Sequence, residues 1–288
     1  AARYFEGLGE DELAGVLSTH YLAAFESTDP GPEADALRIQ ARLALRGAAE
    51  RAIELGAADQ ALHLLQQALE ITDDQAERGD LLERAAAAAD NEGRYEQAER
   101  LGFEAIEAYE TAGDRTGAAR MSALQGGILA DASKLAEAAD FLEAAMAGTA
   151  DLEDESYRAD ILARLSRVRM RLGQATEAIA RADEALAIAE PLRLRRVIAE
   201  AFVNKGAAMG QLARMQEPAV LLAAAIELAS DVGDVALELR ARNNYASVIF
   251  TDDEDRALEV VYEAYELASR LGVRQMTQWM AGTISYGE

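Results

Sequence analysis

The stretch Leu55–Ile71, LGAADQALHLLQQALEI, returns as EGRYEQAERLGFEAIEA over Glu92–Ala108 and as LGQATEAIARADEALAI over Leu172–Ile188. Each copy closes one helix on a glycine, turns, and opens a second helix with an alanine at a fixed place. Those alanines are Ala61, Ala98, Ala138, Ala178 and Ala257. Pro218 holds the register once, in ARMQEPAVLLAAAIELA (Ala213–Ala229). Successive copies stand 37, 40, 40, 40 and 39 residues apart, which is regular enough to specify a repeat architecture. One helix pair cannot bury its own apolar face, so the pairs must stack into a solenoid.

Working outward from those copies, the pattern predicts helix pairs at 34–54 and 58–71, 75–92 and 95–112, 115–132 and 135–148, 154–172 and 175–190, 194–212 and 216–231, and 234–250 and 254–271. Residues Ala1 to Thr28 do not fit the repeat. Gly9–Glu12 gives an acidic first turn, and Leu13, Val16, Leu17, Tyr21, Leu22 and Phe25 then fall at helical spacing, so one amphipathic helix is expected before Asp29-Pro30-Gly31-Pro32. A last helix is expected from Val273, the first half of a truncated seventh repeat. Its apolar residues Met276, Trp279, Met280 and Ile284 are then expected to be covered by a second copy or to remain mobile. The organisation expected is a linker helix at 1–33, following an upstream module, and a repeat domain at 34–288. The fold class is all-α, an α-α superhelix of about six helix pairs with flanking helices. Ala68, Ala105, Ala145, Ala185, Ala225 and Ala264 lie two turns after the signature position and share its face, where small side chains let the next helix approach.

Composition narrows the function. Half of the 288 residues are hydrophobic and only four are proline, as in a long helical protein. No run of apolar residues is long enough for a membrane span, no leader opens the chain, and there is no cysteine, so a cytoplasmic location is expected. With 28 basic and 52 acidic residues the net charge is −24, which argues against a nucleic-acid surface.

The layout resembles the tetratricopeptide repeat (TPR). Gly93, Tyr95, Ala98 and Ala105 match its pattern in one unit, Leu162, Leu165, Gly173, Ala178 and Ala185 in another, and Phe202, Gly206 and Ala225 in a third. The period exceeds that family's usual length, and Gly102 and Ala182 stand where a bulky residue is usual. Linkers of the AGD and VGD type, Thr111–Asp114 and Asp231–Asp234, are similar to those in the regulatory C-terminal repeats of bacterial signal-transduction ATPases. Those include maltose-activator-like regulators and class III adenylate and guanylate cyclases with an ATPase module. The passage RYFEGLGEDELAGVLSTHYLAAF (Arg3–Phe25) followed by ARLALRGAAERAIELG (Ala41–Gly56) resembles the cyclase group in particular.

No catalytic constellation is legible. The two lysines, Lys134 and Lys205, follow no glycine, so there is no phosphate loop, and no cofactor is expected. His20 and His63 lie on different helices outside any zinc motif, His20 reading as a packing residue and His63 as a surface one. Asp252–Asp255 lacks the glycine and spaced oxygens of a calcium loop and reads as an acidic helix start. No metal site is expected.

A groove is the better candidate. In TPR-like proteins the first helix of each pair lines the concave wall, and one register there runs Gly47, Arg84, Leu124, Arg164, Asn204, Asn243. The resemblance to peptide-binding members implies that Asn204 and Asn243 clamp a peptide backbone. Arg167 and Arg171 share the face of Arg164, and Arg242 adjoins Asn243, making a basic patch. The competing reading pairs these arginines with neighbouring acids such as Asp160 and Glu200. The function expected is a non-enzymatic interaction and regulatory scaffold of a bacterial cytoplasmic signalling protein. Its partner is a protein, a peptide or another domain of the same protein, with a homodimer through the chain ends and no nucleic acid or membrane. The alternative is a small-effector sensor region of a transcription regulator, with a closed pocket lined by Tyr245 and Phe250.

Overall fold

The computed structural model describes residues 14–270. The acidic turn Gly9–Glu12 and the final helix from Val273, with Met276, Trp279, Met280 and Ile284, lie outside them. Among the described residues there are thirteen helices and no strand. They fall into two compact units that divide between Ala132 and Ser133.

The first unit holds α1 (Ala14–Glu26), α2 (Pro32–Glu54), α3 (Ala58–Glu70), α4 (Gln75–Asn91), α5 (Tyr95–Ala112) and α6 (Arg115–Asp131). Pro32 begins α2, at a position where the missing N–H costs nothing. Each helix packs on the next, and α4 also packs on α6, so first helices of neighbouring pairs touch. Ala61, Ala68, Ala98 and Ala105 are fully buried in one apolar layer with Leu45, Leu65, Leu81 and Tyr109. On α1, Tyr21 is buried while Val16 and His20 are exposed. His20 is therefore not the packing residue expected, because Ser18 and Tyr21 set the buried face. His63 is exposed, as expected.

The second unit holds α7 (Leu135–Gly148), α8 (Ser156–Arg171), α9 (Ala175–Ala189), α10 (Arg195–Gln211), α11 (Gln216–Asp231), α12 (Val235–Ile249) and α13 (Glu254–Arg270). Here too neighbours pack in order, and the first helices α8, α10 and α12 form a continuous row, α8 on α10 and α10 on α12. Ala138, Ala178, Ala185, Ala225 and Ala264 are fully buried, and Pro218 is buried in their register. Ala145 is only partly buried.

Turn chemistry fixes the helix ends. Gly93 ends α4 at φ 73°. Its N–H donates to the Asp90 carbonyl at 2.8 Å and the next N–H, of Arg94, to that of Ala89 at 2.9 Å, which satisfies two of the helix's last acceptors. The same left-handed position recurs at Ser133, Gly173 and Ala213. The AGD and VGD linkers combine two devices, a left-handed glycine (Gly113, Gly233) and an aspartate N-cap, Asp114 accepting from the Gly117 N–H and Asp234 from that of Leu237. Asp253 caps α13 in the same way, accepting from the Arg256 N–H at 3.0 Å, so the acidic run at 252–255 is a helix start.

Candidate functional site: a charged row on the first helices of the second unit

Burial repeats along α8, α10 and α12 at residues 161, 201 and 241, at 166, 206 and 246, and at 168, 208 and 248. This step of 40 places Asp160, Glu200 and Arg240 side by side, and one turn later Arg164, Asn204 and Asn244. The structural counterpart of Asn204 is therefore Asn244, not Asn243, which shares the register of Val203.

Glu200 sits at the centre with 3% of its surface exposed. Arg196 Nη1, one turn earlier on α10, lies 3.6 Å from Glu200 Oε2, and Arg240 Nη1 of α12 lies 3.9 Å from Oε1. Oε2 is buried with no hydrogen-bond donor. Burial alone would push this carboxyl up. The guanidinium groups of Arg164, Arg196, Arg240 and Arg167 outweigh that and hold it below the usual carboxylate range.

Arg196 joins the three helices. Its Nη1 lies 3.1 Å from Asp160 of α8 and its Nε 3.1 Å from Asp234 at the start of α12. Arg164 pairs with Asp160 at 3.2 Å. Both ends of the Asn204 amide are engaged: Nδ2 donates to the Ala163 carbonyl of α8 at 2.8 Å, and Oδ1 accepts from Arg240 Nη2 at 2.8 Å.

The row brings Arg164, Arg167 and Asn204 together, as the sequence suggested, but in different roles. Asn204 is fully buried and spans three helices instead of presenting its amide outward. Arg242 turns away from the row, bonding Glu238 on its own helix and Glu263 of α13 at 2.7 Å. Asn243 is partly buried, and its carbonyl accepts from the Ser247 hydroxyl. Arg171 is exposed at the end of α8. Sequence reasoning missed Arg196 and Arg240 and named Glu200 only as a neighbour, although the 40-residue step already aligned Glu200 with Arg240.

Elsewhere, Tyr245 packs into the apolar layers beside α11 and α13, and Phe250 is exposed, so the two do not line one closed pocket. A wide-open depression on α13 is lined by Asp253, Asp255, Arg256, Leu258, Glu259 and Tyr262. Among the described residues no group of three or more His, Asp or Glu is placed to hold a metal ion, and no helix is long and apolar enough to cross a membrane.

No family model matches this sequence, and no curated protein matches it. Solved structures do. The apo form of RapI superposes with a TM-score of 0.67 at 13% identity, over 96% of each chain. The Rap conjugation gene regulator of plasmid pLS20, in complex with the Phr* peptide, gives 0.62 at 12% identity, over 96% of this chain and 86% of that one. A Signal Transduction ATPase with Numerous Domains (STAND) protein with a tetratricopeptide repeat sensor, from Pyrococcus horikoshii, gives 0.59 at 16% identity, over 93% of this chain and 43% of that one. At these identities the likeness is one of fold, and the fold is that of TPR-like helical repeats.

Proposed function

We propose that this chain is a non-enzymatic interaction and regulatory scaffold of a bacterial cytoplasmic signalling protein, and that the row α8–α10–α12 receives a carboxylate-bearing peptide or a segment of a neighbouring domain. The observation that carries the reading is a local concentration of arginine. Around Glu200 four guanidinium groups, of Arg164, Arg167, Arg196 and Arg240, face three carboxylates, of Asp160, Glu200 and Asp234, in a chain of net charge −24. Arg196, 44% exposed at its side chain and shared among three acids, is the group an incoming carboxylate can recruit by charge-assisted bonds. The acidic remainder of the surface repels other anions, which favours selectivity over strength.

The peptide bound to the pLS20 regulator and the repeat sensor of the STAND protein support this reading by analogy of fold. In the signalling-ATPase reading the repeats report to an ATPase or cyclase module, and a phosphate loop encoded upstream in the same gene would support it. The functional test is titration of the chain with a library of fluorescent extended peptides, with or without one carboxylate. Carboxylate-dependent binding that weakens with salt is expected, with about a tenfold loss in Arg196→Ala. Binding indifferent to that substitution in a folded variant would count against the site, and turnover of ATP or GTP by the isolated chain against the non-enzymatic reading.

A further inference from the structure

In the first unit α2 and α4 meet through a ladder of ion pairs. Arg38, Arg42 and Arg46 recur at every fourth residue of α2, and they face Asp73 in the turn before α4 and Glu77 and Asp80 in its first turns. Arg38 pairs with Asp73, Arg42 Nη1 lies 2.9 Å from Glu77, and Arg46 Nη1 lies 3.3 Å from Asp80. On the last rung the signs exchange, with Arg84 of α4 2.8 Å from Glu50 of α2. Arg46 and Glu50 also pair along α2, and Arg84 and Asp80 along α4, so the two lower rungs close into a ring of four charges. These rungs are part-exposed, and part-exposed pairs are weak and screened by salt.

The α8–α10 joint adds ties to the backbone beside its ion pairs. In the second unit Asn204 and Gln211 of α10 donate directly to backbone carbonyls of α8, which demands close approach of the two helices. Within the first unit, α2 and α4 each pack on α3 through the apolar layer that contains Leu45, Leu65 and Leu81. Apolar burial is insensitive to screening by dilute salt, whereas the ladder is not.

We infer that the α2–α4 seam is the compliant coordinate of the first unit, a charge-controlled hinge that opens and closes while the helix pairs on either side stay packed. Strong screening, or a densely charged partner competing for the rungs, lengthens the α2–α4 distance and leaves the α2–α3 distance unchanged.

The chain has no cysteine, so nitroxide labels can be placed singly. One pair goes at Gln40→Cys and Gln75→Cys across the seam, and a control pair at Gln40→Cys and Gln66→Cys within α2–α3, all three positions being exposed. Distances are read by pulsed electron resonance at about 0.02 M and about 1 M NaCl, where the screening length falls to about 3 Å. The expected result is a lengthening and broadening of the seam distance at high salt, an unchanged control distance and unchanged helicity. Removing one rung with Arg42→Leu and Glu77→Leu should shrink the response. A seam distance indifferent to salt, both distances changing together, or a full response in the rung-deleted variant would each overturn the hinge.

Discussion

Glu83 on α4 and Glu200 on α10 occupy comparable places: each is a carboxylate on a first helix, with an arginine arriving from the next first helix in its own unit. In the first unit the arrangement closes. Arg120 of α6 binds Glu83 through two nitrogens, Nε at 2.8 Å and Nη2 at 2.7 Å, and the Tyr109 hydroxyl donates to the same carboxylate at 2.8 Å. Arg120 also lies 5.6 Å from the centre of the tyrosine ring. In the second unit it stays open, with Arg196 and Arg240 beyond hydrogen-bond distance of Glu200. The difference has a packing cause. Tyr109 fills the space between Gly79 and Gly117, where an added Cβ would come within 2.7 Å and 2.5 Å of its ring, and it anchors the ion pair beside it. In the second unit Asn204 occupies Arg240, while Asp160 and Asp234 occupy Arg196, so the guanidiniums are held back from Glu200. The closed cluster serves stability. The open one divides its arginines among several acids and Asn204.

The largest effect that can break this comparison is removal of the tyrosine. Tyr109→Ala should cost about 3–5 kcal/mol in chemical denaturation, by loss of a buried aromatic and its cavity. Tyr109→Phe keeps the ring and should cost about 1 kcal/mol. Equal costs for the two would mean that the hydroxyl, not the packing, carries the site.

Next comes the acid at the open cluster. Glu200→Ala leaves several guanidiniums without their shared anion, and a cost of about 2–3 kcal/mol is expected, below the full penalty of a buried pair because water reaches the arginines. The pH dependence separates the clusters. Glu200 has its folded pKa lowered, so its contribution is present above the unfolded carboxylate value of about 4.3 and is lost as pH falls through the folded value. Tyr109 is raised, by burial first and by Glu83 second, so its contribution is full below about 10 and lost as pH rises through the folded value. Thermal melts should therefore lose part of their acid limb in Glu200→Gln and part of their alkaline limb in Tyr109→Phe. The opposite assignment would sink the comparison.

Asn204→Ala should cost about 1–3 kcal/mol by unlinking α8, α10 and α12, whereas Asn243→Ala should stay within about 0.5 kcal/mol. Denaturant midpoints of the two variants decide between an internal tie and a presented amide. The smallest effect concerns the turns. Among the described residues every left-handed position in the first unit (Gly56, Gly93, Gly113) is glycine, whereas in the second unit Ser133, Arg193 and Ala213 hold φ between 54° and 64°. Ala213→Gly should therefore raise stability by up to about 1 kcal/mol, and Gly93→Ala should lower it by a similar amount. A loss in Ala213→Gly would show that the unfolded chain's extra freedom outweighs the relieved strain.

The helix pairs were legible to within two residues at each end because their signals are local: glycine after the last turn, aspartate before the first, alanine at a fixed step. The site was legible only in part. Of the candidate residues, Arg164, Arg167 and Asn204 lie together on the row, because unusual residues on one helix face stand out. Turn residues align Asn243 with Asn204, whereas burial fixes the register at 40 and aligns Asn244 with it. Asn204 was misjudged because a mid-helix asparagine gains nothing locally. Its partners, Ala163 and Arg240, are 41 and 36 residues away in sequence.

What the sequence determined by itself is the repeat, its helices and the buried alanine faces, since periodicity and capping act over a few residues. What only the tertiary structure decided is which charges meet. Arg196 reaches Asp160 and Asp234, Arg42 reaches Glu77, and Arg120 reaches Glu83, because helices separated by a whole repeat lie side by side. A long arginine side chain on a charged helix has several acids within reach in sequence. Only the spacing between helices selects the one it binds.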